Sequence, residues 1–271
     1  MTALARFRAR TLLRGRATAG AALVFCLATG VVAVVGLGSF LQVGLGSVGP
    51  AAAALVNLAL LLPTAQALVL GAMTLTADRE TGFGAMLLAR GVRPAALVVT
   101  AWLAVTLSSW LSIAAGFGLA AIVIAGNVPP GDLPVFLGLI GVSLAASAAA
   151  AAVGILVGAF VTTRAHATLA GIAAWFVLAV GFDLVIVGLG AFLRFGEAAV
   201  IGAITADPLT VARVSALLLL DAGAGVLGPT GAYLLDRLGH GGAVGALLAV
   251  VVAWTVLPLA LATAGVTRRD G

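Results

Sequence analysis

The sequence predicts an all-α integral membrane protein with six transmembrane helices and both termini in the cytoplasm. Three observations carry this. Apolar residues make up 63% of the 271-residue chain, charged residues only 8%, and mean hydropathy is +1.26. A soluble domain carries about a quarter charged residues because its surface faces water, so this chain lacks the polar residues to cover one. The apolar residues also fall in six continuous runs, each longer than the roughly 20 residues that let a helix cross a hydrocarbon core about 30 Å thick. Finally, the cations are distributed asymmetrically between alternate loops. Short alternating segments of the kind that build a membrane β-barrel are not seen.

The runs are Ala19–Leu41, Ala51–Thr76, Ala95–Ala125, Pro134–Val161, Ala167–Leu193 and Gly242–Val266. The third is long for one crossing, so it tilts or continues past the bilayer. With the N-terminus inside, one side receives Arg6, Arg8, Arg10, Arg14, Arg16, Arg79, Arg90, Arg93, Arg164, Arg268 and Arg269. The other receives only Arg194, Arg213 and Arg237, a strong positive-inside bias. The first run, at 23 residues, exceeds the roughly 7–15 of a cleaved leader, so it is expected to remain as a span.

All 14 basic residues are arginine, which excludes a lysine Schiff base and the phosphate-binding lysine of a P-loop. Any nucleotide chemistry belongs to a partner. The single cysteine, Cys26, excludes an internal disulfide and a Cys-rich metal site. The arginines are scattered between spans and not gathered on a face, which argues against nucleic-acid binding.

Residues 1–18 precede the six-span domain of residues 19–271. Arg6, Arg10 and Arg14 recur every four residues, the pattern of a basic amphipathic helix in the headgroup plane. The same arginines also suit a cluster that merely fixes orientation.

Between spans two and three, Ala77–Pro94 opens with Asp78, Arg79 and Glu80 and closes with Arg90, Gly91, Arg93 and Pro94. Acid first and arginine last complement a helix dipole. Phe83, Met86, Leu87 and Arg90 share one face, and Gly91 and Pro94 are stop signals. Such a helix needs its apolar stripe covered, by the membrane or by a groove on a partner. A loop that only joins two spans is the plainer reading.

The pattern Glu80-Thr81-Gly82, then Leu87-Leu88-Ala89-Arg90, then Val92-Arg93-Pro94, resembles the first cytoplasmic loop of type-2 ABC exporter permeases. The resemblance implies a coupling helix seated in a cleft of a cytoplasmic ABC ATPase, with ATP and Mg held by that partner and no cofactor on this chain. It also implies a second copy of the chain, six spans and internal termini. The short loop Thr162–His166 is where the family makes a smaller ATPase contact, making Arg164 and His166 candidates. Polar residues at a span boundary are more often simply interfacial anchors.

The connection Arg194–Gly241 is 48 residues long, against eight or nine for the other outer loops. Its apolar runs Val211–Leu220 and Ala222–Leu235 are too short to cross. They read as helices packed on the outer face or dipping into it, together forming a small folded platform. Asp207-Pro208 is a helix-start signal, Asp as N-cap and Pro at the first helical position, with Arg213 further along.

Trp175-Phe176, Phe182-Asp183-Leu184 and Asp207-Pro208 followed by Arg213 are similar to the NosY group of permeases. These are the membrane subunits of NosDFY complexes, which assist copper-site assembly in nitrous-oxide reductase. That likeness implies an inner-membrane location, a NosF-like ATPase and an extracytoplasmic NosD-like accessory protein. Asp207 and Thr210 depart from the group's Asn-Pro-x-Asp pattern.

Asp183 is the one acid expected inside a span, a gate or pathway group or a carboxylate bonded to a neighbouring helix. The soft ligands Met73, Met86, Cys26, His166 and His240 are dispersed, giving no metal site and little support for a transmembrane copper path. An intramembrane enzyme would need paired acids or a Ser/His set that the chain lacks. The alternatives to a NosY-like role are an exporter of a drug, lipid or peptide, and a scaffold working without an ATPase. Gly154 and Gly158 form a GxxxG spacing, which permits close helix packing.

Overall fold

The computed structural model describes residues 2–13, 15–43, 49–124, 133–182, 184, 202, 204–220 and 228–270, and they are mostly helical with no strand among them. The helices are α1 (Thr2–Leu13), α2 (Arg16–Val43), α3 (Gly49–Glu80), α4 (Phe83–Ala89), α5 (Pro94–Ile124), α6 (Leu133–Phe160), α7 (Arg164–Phe176), α8 (Pro208–Leu220) and α9 (Gly228–Asp270). Among the described residues five helices are long and apolar enough to cross a membrane, or six if the bent pair α1–α2 counts as one crossing. The chain is a multi-pass helical membrane protein.

The centre of the bundle is the crossing of α3 and α6, made close by glycine. A Cβ on Gly154 would stand 2.3 Å from the Leu68 carbonyl oxygen, and one on Gly158 would stand 2.3 Å from that of Ala72. On the facing helix, a Cβ on Gly71 would lie 2.8 Å from the Ala151 oxygen. The GxxxG spacing is therefore spent inside the chain, on backbone-to-backbone contact that lipid cannot substitute.

Polar side chains tie α2, α3 and α5 together beside this crossing. Gln66 Nε2 donates to Ser108 Oγ (3.2 Å), Ser112 Oγ donates to Gln66 Oε1 (3.0 Å), and the Thr18 and Ser108 hydroxyls are 3.0 Å apart. Hydroxyls that would be unsatisfied in hydrocarbon thus find one another across helices. Further along, the Phe25 ring lies over Gly116, where a Cβ would come within 2.3 Å of it.

Three elements refine the sequence expectation. First, α1 is held against the bundle by the chain itself. It packs on α5, Arg8 reaching the Leu97 carbonyl, while Thr18 of α2 meets Ser108 further along α5. The two helices, bent by 58°, follow α5 in succession. Second, α9 comprises two helices joined at Gly239, whose φ of 66° and ψ of 170° are not helical and suit glycine. The described part of the run Ala222–Leu235 is thus a helix of its own, as expected, but it meets the last span at a kink and not through a loop.

Third, α8 dips into the bundle, which is one of the two placements its sequence allowed. It runs antiparallel to α6, with Leu219 against Gly138 and Val211 in one core cluster with Ala149 and Val251. Trp254 Nε1 donates to the Thr205 carbonyl (3.0 Å), so the segment before α8 lies past the midpoint of α9. The described part of the expected outer platform is threaded between spans because Val211, Ala212 and Leu218 are fully buried there. Span five is helical through Phe176 and continues as a π-helical turn, Val177–Gly181. Asp183 lies outside the described residues.

Gly154→Val and Gly158→Val are expected to lower stability by about 1–3 kcal/mol or more each, since the clash is with backbone. Gly118→Ala, which meets nothing within 4 Å, is tolerated. Thermal denaturation of the detergent-solubilised chain, followed by size-exclusion chromatography, checks both.

Candidate functional site at the arginine-rich end

Three consecutive residues close α3, and each holds a different neighbour. Asp78 Oδ2 accepts from Arg8 Nη2 of α1 (2.5 Å), and Arg8 Nη1 donates to the Leu97 carbonyl of α5 (3.4 Å). Arg79 Nη1 donates to the Gly158 and Val161 carbonyls (3.2 and 3.4 Å), capping the exposed acceptors where α6 ends. Glu80 accepts from the Arg164 backbone N–H through Oε1 (2.7 Å) and from Arg164 Nε through Oε2 (2.9 Å). An anion at the N-terminus of α7 satisfies an orphan donor and complements the helix dipole.

This placement corrects the reading of Ala77–Pro94 as one helix opening with acids. Asp78 and Glu80 are the last turn of α3, because Ala77–Glu80 continue its helical register. Thr81 then donates to the Ala77 carbonyl through Oγ1, and Gly82, at φ 69°, breaks the chain before α4. The short helix ends as its sequence signals: Gly91 takes φ 80°, its N–H donates to Leu88 O (2.9 Å) and the Val92 N–H to Leu87 O (3.1 Å). That is the Schellman pair of bonds, with Arg90 as C-cap.

The apolar stripe of α4 is largely covered by the chain itself. Leu87 and Leu88 pack on Leu75, Leu97 and Val266, and the Phe83 ring lies 6.3 Å from that of Phe7. Met86, 42% exposed, and Arg90 remain on the free side, and Arg93 is exposed beyond the cap. At the head of α7, Thr163 caps the helix through the His166 N–H, and its Oγ1 lies 2.7 Å from His166 Nδ1. The structure thus joins Glu80 to Arg164 and leaves His166 serving its own helix.

A cavity of about 680 Å³ opens between α1, α3 and α4. Phe7, Met73, Thr81, Gly82, Phe83 and Met86 are among its walls, with Arg8, Asp78 and Arg164 as its charged groups. Periodicity alone does not single out Arg8, Asp78 and Arg79 as site residues. Arg8 does carry a signal, since Leu4, Arg8 and Leu12 are spaced on one face, opposite in character to exposed Arg6 and Arg10.

At the other candidate site, Asp207 is fully buried and caps α8 as its sequence signals. It accepts from the Leu209 and Thr210 N–H groups (3.2 and 2.8 Å), and Thr210 Oγ1 donates to it (2.6 Å). Pro208 is likewise buried at the first helical position, where its missing N–H costs nothing. Arg213 lies on the same helix, close enough to act electrostatically on the Asp207 carboxylate. Among the described residues no group of three His, Cys, Asp or Glu is arranged to hold a metal. A scan against protein-family models and a search of curated proteins found no match for the chain.

Two outcomes follow. Arg8→Met strands a mostly buried carboxylate and is expected to cost about 3 kcal/mol, with the double variant Arg8→Met/Asp78→Leu recovering most of it in a double-mutant melting cycle. Asp207→Leu is expected to cost about 0.5–2 kcal/mol through loss of the cap, whereas Asp207→Asn retains an acceptor and most of the stability.

Proposed function

We propose that this chain is the non-catalytic membrane permease subunit of an ABC transporter of the type-2 exporter class. In this reading a separate ATPase binds ATP and Mg, and a conformational change passes from it through α4 into the spans of a homodimer. The observation that carries the reading is α4 itself. It is a rigid, doubly glycine-bracketed helix with Met86 and Arg90 on its free side, hung on the last turn of α3, which also grips α1, α6 and α7. A push on α4 therefore acts on several helices at once. The Glu80–Arg164 pair adds a second patch beside it, drawn from the other loop on the arginine-rich side.

Within that class the chain reads as NosY-like and serving copper-site assembly in the inner membrane, on the residues around Trp175, Phe182 and Asp207-Pro208. A NosD-like accessory protein would then dock on the side opposite the ATPase. Affinity purification of the solubilised chain with mass spectrometry is expected to recover a P-loop ATPase together with a secreted repeat protein. Recovery of the ATPase alone favours a drug, lipid or peptide exporter, and recovery of neither from well-folded protein overturns the permease in favour of a scaffold. Met86→Asp/Arg90→Glu, confined to exposed positions, is expected to cut ATPase recovery about tenfold without changing the melting temperature.

A further inference from the structure

The cavity between α1, α3 and α4 has a long apolar wall and a charged mouth. Leu70, Met73 and Ala77 of α3 form one side, Phe7 and Leu12 of α1 the other. Three threonines line it as well, but their hydroxyls turn back on their own helices. Thr11 donates to Phe7 O, Thr74 to Leu70 O and Thr81 to Ala77 O. The walls therefore offer carbon, and the ionic groups are Arg8 with Asp78 inside and Arg164 at the edge.

Arg8 is paired with Asp78 and the Nε of Arg164 with Glu80, so the positive excess at this end of the cavity comes from exposed Arg6 and Arg10, which flank Phe7 and Thr11 on α1, while the terminal nitrogens of Arg164 are left for a further acceptor. Arg8 adds a further observation. It is 6% exposed, and its Nε has no hydrogen-bond partner among the described residues although both terminal nitrogens are used. A buried donor left unpaired costs about 1–3 kcal/mol, so an acceptor oxygen nearby would be favoured.

The depth of the cavity selects the occupant. Leu70 is ten residues before Glu80, roughly 15 Å back along α3 at 1.5 Å per residue. Leu70 and Met73 belong to the stretch Leu60–Glu80, which is apolar enough to cross the membrane. A water-soluble partner meets only the mouth at Gly82 and Met86. A molecule already in the bilayer reaches both ends at once, with a chain along Leu70 and Met73 and an anionic head among the arginines.

We propose that this cavity binds an acidic phospholipid from the leaflet on the arginine-rich side, its acyl chain along α3 and its phosphate held by Arg164 and the arginines of α1. Such a lipid would brace α1 against α4 beside the Phe7–Phe83 contact. The site requires a membrane-embedded chain but no ATPase, so it stands or falls separately from the permease reading.

The test uses the full chain in nanodiscs of equimolar phosphatidylcholine and phosphatidylglycerol, each supplied in turn with a diazirine on one acyl chain. Phosphatidylglycerol is expected to label peptides spanning 7–12 and 70–77, with phosphatidylcholine labelling them at least about fivefold less. Arg164→Gln, at an exposed position, should weaken that labelling about fivefold, and Ala77→Phe should abolish it while labelling of the lipid-facing part of α9 persists. Equal labelling by both lipids, or labelling indifferent to Ala77→Phe in a variant that melts normally, overturns the proposal. Protection of Phe83 and Met86 by a co-purified protein with no lipid label at 70–77 assigns the cavity to that protein instead and also overturns it.

Discussion

The last turn of α3 is the constraint on which this end of the molecule depends. Asp78, Arg79 and Glu80 follow one another in sequence, so a helical turn of about 100° per residue sends their side chains in three directions. Each direction meets a group that needs it: a buried guanidinium on α1, uncovered carbonyls at the end of α6, and an uncovered N–H at the start of α7. None of these bonds is strong alone where water reaches it, and the Glu80–Arg164 pair, half exposed, is of the kind that contributes little to stability. Their value is geometric. One rigid helix end fixes the positions of three others, and α4 leaves from that same end.

The α3–α6 crossing makes this possible. Gly154 and Gly158 bring the two backbones into contact, so Arg79 and Thr76 reach carbonyls of α6 across a gap that side chains elsewhere would fill. In lipid there is no hydrophobic force drawing one apolar helix to another, and dispersion contact between closely approaching backbones takes its place. The polar cluster around Gln66 and Ser108 adds hydrogen bonds whose alternative is an unsatisfied group. Packing and polar satisfaction therefore act together on α3, the helix with most neighbours.

Local signals in the sequence translated directly into structure. Gly91 became the left-handed residue of a Schellman ending, and Asp207-Pro208 became an N-cap and first helical residue, because each depends only on residues within one turn. Signals that depend on a distant partner did not translate. Glu80 and Arg164 are 84 residues apart, and no periodicity couples them. The glycines of α6 announced a close contact without naming α3. The acids of Ala77–Pro94 suited a helix start by the dipole, and tertiary contacts with α1 and α7 outweighed that to place them at a helix end. Arg8 lay in view among exposed arginines, distinguished only by sharing a face with Leu4 and Leu12.

The insertion of α8 bears on how the chain is made. This helix is held between α6, already synthesised when α8 emerges, and α9, which follows it. Its fully buried residues Val211 and Leu218 share a cluster with Ala243, Leu247 and Val251, so half of its seat does not exist until the last span is in place. Adding helices to the bilayer one at a time therefore leaves the seat of α8 half built until the helix after it arrives, so the docking of the segment around Asp207 depends on α9.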